Sequence, residues 1–221
     1  IGSSLVGSEM CIRDRIIREA ERLNLPEEGF VIMLPARPTS WKGHEVLIKA
    51  VAALNRPDVT LLLLGAGDGA PRFVAGLEQL ARKTGLDGRL RIAAGSDDMP
   101  SALMLADVIA MPSIVPEPFG RVAVEAGAMG RPIVAFNHGG AVESVINGQT
   151  GWLAEPGDIS DLSRALGTAL DLSQEKRAEL AKKSRAHIIK SFSKEKMCRK
   201  TLEIYDELLQ NRARSSDNII R

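Results

Sequence analysis

The stretch FVIMLPARPTSWKGHEVLIKAVAAL, residues 30–54, contains the pattern that decides the fold. Phe30–Leu34 is a short apolar run typical of a buried strand, and Gly43–Leu54 has the apolar spacing of a helix. The same alternation recurs along the chain. Further strands are predicted at Thr60–Gly65, Leu90–Ala94, Val108–Met111, Pro132–Phe136 and Trp152–Leu153. Strands separated by helices favour right-handed crossovers, so we predict an α/β fold with a doubly wound, Rossmann-like parallel sheet.

Composition excludes several classes of protein. Of the 221 residues, 44% are hydrophobic and 26% charged, and the net charge of +1 shows no bias toward a nucleic-acid partner. The two cysteines, Cys11 and Cys198, cannot form a disulfide framework, and with His44, His138 and His187 they give no metal-ligand spacing. No apolar run approaches the roughly 18 residues of a membrane span. We therefore expect a cytoplasmic protein that binds no metal.

Two carboxylates eight positions apart, Glu117 and Glu125, flank a predicted helix start at Phe119-Gly120. With Phe119 in the first turn, Glu125 would lie about two turns into the helix. The free N–H groups and positive dipole end of such a start suit an anion. Acids beside an anion site are best understood as hydroxyl acceptors, so the ligand would carry both phosphate and sugar. The alternative is that Glu117 only interacts with the positive end of the helix dipole and that Glu125 is a solvated helix residue.

Two cations lie in the loop between the first strand and its helix. Arg37 and Lys42 follow Phe30–Leu34, and ligands of open α/β sheets bind outside the carboxyl ends of the strands. A guanidinium can hold a phosphate with two hydrogen bonds, and a lysine adds a mobile charge. The alternative is a pair of solvated surface cations.

Together these residues resemble the donor-binding half of a retaining glycosyltransferase of family 4, which has the GT-B fold. The resemblance extends from about residue 26 to residue 205, with its motifs in the expected order and spacing. These motifs are Arg37 with Lys42-Gly43, Glu117-Pro-Phe-Gly120, Glu125-Ala126, Gly130-Arg-Pro132 and Gly139-Gly140 with Glu143. The chain would then be the C-terminal half of a GT-B enzyme.

The resemblance implies a role for each site residue. Arg37 and Lys42 would hold the donor pyrophosphate, and Glu117 would face the transferred sugar, which makes these three the catalytic candidates. The remaining donor-binding candidates are Phe119, Gly120, Arg121 and Glu125, with Glu125 accepting from the ribose hydroxyls. The loop with Gly95 and Met99 would border the nucleobase. Gly139-Gly140 would either approach the donor closely or form a tight strand-to-helix turn.

The implied activity is hexosyl transfer, with retention, from a nucleoside-diphosphate sugar to a glycan or lipid-linked acceptor. Neither a cofactor nor a metal is expected. The acceptor domain would precede Ile16, so this chain alone would bind the donor but be inactive, and the full-length enzyme would associate peripherally with the inner face of the membrane. Two alternatives stay open, a non-catalytic nucleotide-sugar-binding module and a nucleotide-sugar epimerase of the same architecture.

Three segments are expected along the chain. Ile1–Arg15 resembles a translated sequencing adapter, with a genuine disordered extension as the alternative, and Ile16–Leu23 would be the first helix. Residues 16–214 would form the donor-binding domain, and residues 215–221 a tail.

Overall fold

The computed structural model describes residues 2–67 and 69–217, with side chains described for residues 12–67 and 69–210. Within these ranges, six strands form one sheet in the order β3-β2-β1-β4-β5-β6, and every neighbouring pair is parallel. The strands are β1 (Phe30–Pro35), β2 (Val59–Leu64), β3 (Leu90–Ala93), β4 (Val108–Met111), β5 (Ile133–Phe136) and β6 (Gly151–Ala154). The prediction of a doubly wound parallel sheet is confirmed. The short strand predicted at Trp152–Leu153 has four residues and pairs with β5.

Helices alternate with the strands, as the sequence pattern predicts. They are α1 (Gly2–Arg22), α2 (His44–Ala53), α3 (Pro71–Lys83), α4 (Met99–Met104), α5 (Arg121–Ala128), α6 (Ala141–Ser144), α7 (Ile159–Leu170), α8 (Gln174–Phe192) and α9 (Lys194–Asp217). A 3₁₀ turn, Ser40–Lys42, precedes α2. Within the described ranges, none of the helices is long and apolar enough to cross a membrane.

Two hydrophobic cores cover the two faces of the sheet. In β1, Ile32 and Leu34 pack in the core that includes residues of α2 and α7, whereas Met33 packs in the core that includes residues of α4 and α5. Successive side chains of a strand point to opposite faces, so a strand covered on both sides must be apolar throughout. This explains why β1, β4 and β5 are continuous apolar runs. It also leaves their carboxyl ends as the place where polar side chains can gather.

The N-terminal helix differs from the prediction. The sequence predicts a helix that begins at Ile16, but α1 is already helical from Gly2, so the predicted start is wrong. No proline interrupts residues 2–22, and adding a residue to a formed helix is far easier than nucleating one. Arg15 forms an ion pair with Asp98, at 2.9 Å between Nε and Oδ2. The assignment of Ile1–Arg15 as a foreign leader stays a prediction, and Ile1 and residues 218–221 of the predicted tail lie outside the described residues.

Candidate functional site

A cleft of about 450 Å³ lies at the carboxyl ends of β1 and β4. These neighbouring strands are where the strand order of the sheet reverses, which is the usual ligand position in open α/β folds. The cleft brings together all seven residues that the sequence assigns to donor binding. They are Arg37, Lys42, Glu117, Phe119, Gly120, Arg121 and Glu125. The predicted convergence of distant segments is therefore present, while the role of each residue stays a prediction.

The loop after β1 carries the two cations and packs closely on the loop after β4. Arg37 is exposed, and Lys42 ends the 3₁₀ turn just before Gly43. Gly43 has φ 79°, and a Cβ atom there would lie 1.9 Å from the carbonyl oxygen of Pro112. The N–H of Ile114 also donates to the carbonyl oxygen of Trp41 at 2.7 Å. This approach brings the Lys42 side chain to the residues that follow β4.

An ion pair joins the two loops inside the cleft. The Lys42 Nζ lies 2.8 Å from Oε1 of Glu117, and the two side chains are only 16% and 12% exposed. The hydroxyl of Ser113 donates to the same Oε1 atom. The Lys42 ammonium also lies over the ring of Trp41, 4.2 Å from its centroid. The Glu117 carboxylate is therefore held by a cation and a hydroxyl before any ligand binds.

Gly139 and Gly140 shape the loop that carries Glu117 but do not line the cleft. The N–H of Gly140 donates to the carbonyl oxygen of Glu117 at 2.7 Å. A Cβ atom at Gly139 would lie 2.5 Å from that oxygen, and one at Gly140 would lie 2.3 Å from the carbonyl oxygen of Phe119. Of the two predicted explanations for this glycine pair, the structure favours tight local packing. The glycines approach the 117–119 backbone.

The other predicted loop is also separate from the cleft. Neither Gly95 nor Met99 is among its lining residues. Met99 instead lines a second hollow of about 260 Å³, which shares Glu125 with the main cleft. The two hollows therefore meet at the side chain of Glu125.

Helix α5 begins later than the sequence predicts. Phe119 precedes the helix, Gly120 is its N-cap with φ 73°, and Arg121 is the first helical residue. Glu125 is thus the fifth residue of α5, just beyond one turn rather than two. The left-handed backbone at position 120 cannot belong to a right-handed helix, and glycine adopts it without the steric cost of a side chain. Glu125 forms an ion pair with Arg121 at 2.8 Å.

Two helices that follow the cleft loops start without a side-chain cap, and of these two starts only that of α5 lines the cleft. Gly43 precedes α2 and Gly120 precedes α5, both in the left-handed conformation and neither offering a capping side chain. By contrast, α4 and α7 are capped by Asp98 and Asp158. Uncapped starts leave N–H groups and the positive dipole end available to an anion.

The residues that sequence reasoning missed include Trp41, which lines the cleft, and Ser113, which contacts Glu117. Trp41 lines the cleft, and its position between Arg37 and Lys42 in the predicted ligand loop was an available signal. Ser113 follows the last residue of β4 by two positions, so it also lies at a strand carboxyl end. Its contact with Glu117 is visible only once the loop is folded. Over the described residues, no group of three or more His, Cys, Asp or Glu side chains is arranged to hold a metal ion.

Comparison with known proteins identifies what the chain resembles. Residues 16–187 match the family model described as "Glycosyl transferases group 1". A D-inositol 3-phosphate glycosyltransferase of Salinispora tropica is 35% identical over 207 residues, which cover 89% of this chain and 42% of that protein.

Solved structures agree with this match. A glycosyltransferase from Rickettsia africae has a TM-score of 0.84 and 32% identity over 90% of this chain and 52% of its own. The Anabaena protein HepE, solved in complex with UDP-glucose, has a TM-score of 0.79 and 32% identity over 88% of this chain and 53% of its own. The chain thus spans about half the length of these relatives.

Proposed function

Because this chain belongs to the glycosyl transferases group 1 family, we propose that it is the donor-binding domain of a retaining hexosyltransferase of family 4. One observation carries the proposal. Two cations, the uncapped start of α5 and two carboxylates converge on a single cleft at the switch point of the sheet. That combination matches a ligand in which a diphosphate joins two groups that carry hydroxyls.

The chemistry assigned to these residues is stabilisation of the leaving group. When the bond between the anomeric carbon and the phosphate oxygen breaks, negative charge develops on the nucleoside diphosphate. Arg37, Lys42 and the amides at the start of α5 stabilise that charge in a fixed arrangement. Glu117 orients the transferred sugar, and Glu125 accepts hydrogen bonds from the ribose hydroxyls. The acceptor oxygen then forms its bond on the face that the leaving group vacates and passes its proton to the departing phosphate oxygen, which retains the anomeric configuration.

The HepE complex supports a nucleotide sugar as the ligand, since that relative is 32% identical and is described with UDP-glucose bound. We propose a glycan or lipid-linked saccharide as the acceptor, held by a second domain of a longer protein. Transfer requires two reactants to be held in line and water to be excluded, and orientation of that kind accounts for a large part of the rate. This chain by itself is therefore expected to bind the donor without transferring the sugar, and a cytoplasmic location remains a prediction.

The proposal is tested by calorimetric titration of this chain with UDP, UDP-glucose, GDP and GDP-mannose, together with an assay for sugar transfer. We expect either the two uridine ligands or the two guanosine ligands to bind. Their affinity should be weak because this chain supplies only one wall of the proposed full cleft. No transfer to added acceptors is expected from this chain. The absence of any binding at millimolar ligand would contradict the donor-binding assignment. Acceptor glycosylation by this chain alone would contradict the assignment of the acceptor site to a second domain.

A further inference from the structure

We infer that Ser113 is a positioning residue of the donor site, which keeps the Glu117 carboxylate in place when Lys42 engages the donor. The inference rests on the proposed function, because it concerns how Glu117 meets the transferred sugar. Ser113 is 3% exposed and is not among the residues that line the cleft. It therefore has no direct access to a ligand and acts through the side chain that it contacts.

The two oxygens of the Glu117 carboxylate have different surroundings. Oε1 accepts from the Ser113 hydroxyl and pairs with the Lys42 ammonium. Oε2 makes no hydrogen bond or ion pair with the described residues, and the Glu117 side chain lines the cleft. One oxygen thus anchors the carboxylate, and the other is available to accept from sugar hydroxyls.

Ser113 can serve as an anchor because its own backbone is fixed on both sides. His138 places Nε2 2.7 Å from the carbonyl oxygen of Ser113. The next residue, Ile114, donates its N–H to the carbonyl oxygen of Trp41 at 2.7 Å. These contacts connect Ser113 to the segment after β5 and to the loop after β1. These contacts fix the backbone position from which the Ser113 hydroxyl reaches Glu117.

Donor binding makes the Ser113 hydrogen bond necessary. A diphosphate draws the Lys42 ammonium toward itself, because phosphate oxygens are strong, charged acceptors. The same diphosphate repels the Glu117 carboxylate, which loses part of its pairing with Lys42 at that moment. The uncharged hydroxyl of Ser113 keeps its hold on Oε1 regardless of where the ammonium goes. Without it, Glu117 would move away from the diphosphate and from the sugar.

The experiment measures the sugar preference, defined as the dissociation constant of a nucleoside diphosphate divided by that of the corresponding nucleotide sugar. Calorimetry gives this ratio for the whole chain with UDP and UDP-glucose, or with GDP and GDP-mannose if only guanine ligands bind. Ser113→Ala is expected to lower the preference by about tenfold or more, the usual weight of a hydrogen bond to a charged group. The affinity for the diphosphate alone should change by less than about twofold. Ser163→Ala, which removes a buried serine hydroxyl in α7, should change neither quantity.

A double-mutant cycle separates positioning from a structural role. If Ser113 acts through Glu117, Ser113→Ala should have no further effect on the sugar preference in a Glu117→Gln background. An equal effect in both backgrounds, or an unchanged preference in Ser113→Ala, would overturn the inference. Equal affinity of the unaltered chain for diphosphate and nucleotide sugar would also overturn it, because Glu117 would then make no useful sugar contact. If Ser113→Ala does not fold, Ser113→Cys keeps the branching of the side chain in a slightly larger group with a much weaker donor, and it is expected to lower the preference in the same way.

The two proposals fail in different ways. Nucleotide binding without a Ser113-dependent sugar preference would leave the donor-binding domain intact and remove only the positioning role. Absence of nucleotide binding by the unaltered chain at millimolar ligand would remove the proposed function and the Ser113 role with it.

Discussion

Lys42 and Glu117 neutralise each other inside the cleft, with Nζ and Oε1 2.8 Å apart and both side chains mostly buried. The pair lies between the loops that follow β1 and β4, where the diphosphate is proposed to bind. An incoming diphosphate must therefore compete with a carboxylate of the protein for the Lys42 ammonium. The cost of separating this pair is part of the free energy of donor binding, and it is recovered only if Glu117 finds new partners on the sugar.

Replacing Glu117 with glutamine should raise the affinity for a nucleoside diphosphate. The change removes a negative charge beside the phosphates and frees Lys42, which is worth about three- to tenfold for a partly screened pair. The same variant should lose its preference for the nucleotide sugar over the diphosphate. Calorimetry with matched ligands measures both effects. Weaker diphosphate binding by Glu117→Gln would show that the ion pair does not compete with the ligand.

Gly140→Ala should destabilise the fold through steric overlap with the backbone of Phe119. Gly140 has φ −65°, which alanine adopts freely, so the backbone conformation carries no penalty. A Cβ atom there would lie 2.3 Å from the carbonyl oxygen of Phe119, and the expected cost is about 1–3 kcal/mol of unfolding free energy.

The matched control is Gly76→Ala, which lies within α3 with no atom near the new methyl group. Alanine is favoured over glycine in a helix, so this variant should be more stable by up to about 1 kcal/mol. Urea denaturation of both variants gives the comparison. Equal stability of Gly140→Ala and the unaltered chain would show that the 117–119 loop can move aside.

The stability of the chain should fall as the pH decreases through the range in which histidine titrates. His44 is 1% exposed, and burial holds its pKa below the ordinary value. The backbone of Ala36 and Thr39 acts in the opposite direction, but its effect on the pKa is smaller than that of burial. The His44 imidazole therefore binds a proton more readily in the unfolded chain than in the folded chain. The contribution of the neutral His44 imidazole to the free energy of unfolding is complete above about pH 6.5. This contribution is lost as the pH falls toward the lower pKa of the folded state.

His44→Gln tests the origin of this dependence, because glutamine does not titrate. Free energies of unfolding measured by urea denaturation between pH 7.5 and pH 5 should decline less steeply in the variant than in the unaltered chain. Identical slopes of unfolding free energy against pH would show that groups other than His44 cause the loss of stability in acid.

Chelation should leave donor binding unchanged. The groups proposed to stabilise the leaving diphosphate are Arg37, Lys42 and helix-terminal amides, which supply positive charge without a divalent ion. Titrations in excess EDTA and in excess magnesium should therefore give the same dissociation constant. Binding that disappears in EDTA and returns with magnesium or manganese would contradict this prediction.

Much of the fold was predictable because each strand has a distinct sequence pattern. Apolar runs such as Val108–Met111 are buried on both faces, and their ends match the predicted ones closely. The errors have local causes. The positive φ of Gly120 delays α5 to Arg121, and α1 extends to Gly2 because continuing a helix requires no apolar periodicity.

The site was predictable only in part. Strand-to-helix loops of a parallel sheet meet at one edge, so the approach of Arg37 to Glu117 follows from topology. The hydrogen bond of Ser113 and the packing of Gly139 and Gly140 on the 117–119 loop depend on how two irregular loops fold together. Such contacts leave no periodicity in the sequence. The Arg121–Glu125 pair, in contrast, follows from helical spacing once the start of α5 is known.

The central claim is that this cleft binds the diphosphate of a nucleotide sugar, and Arg37→Ala tests it most directly. Arg37 is exposed and lines the cleft, so its removal should weaken binding without altering the fold. Arg185→Ala, an exposed arginine of α8 outside the cleft, is the matched control for the loss of one positive charge. In calorimetry with the nucleoside diphosphate that the unaltered chain binds, Arg37→Ala should weaken binding by about tenfold or more, and Arg185→Ala by less than about twofold. Equal affinities of the two variants would contradict the assignment of the diphosphate to this cleft.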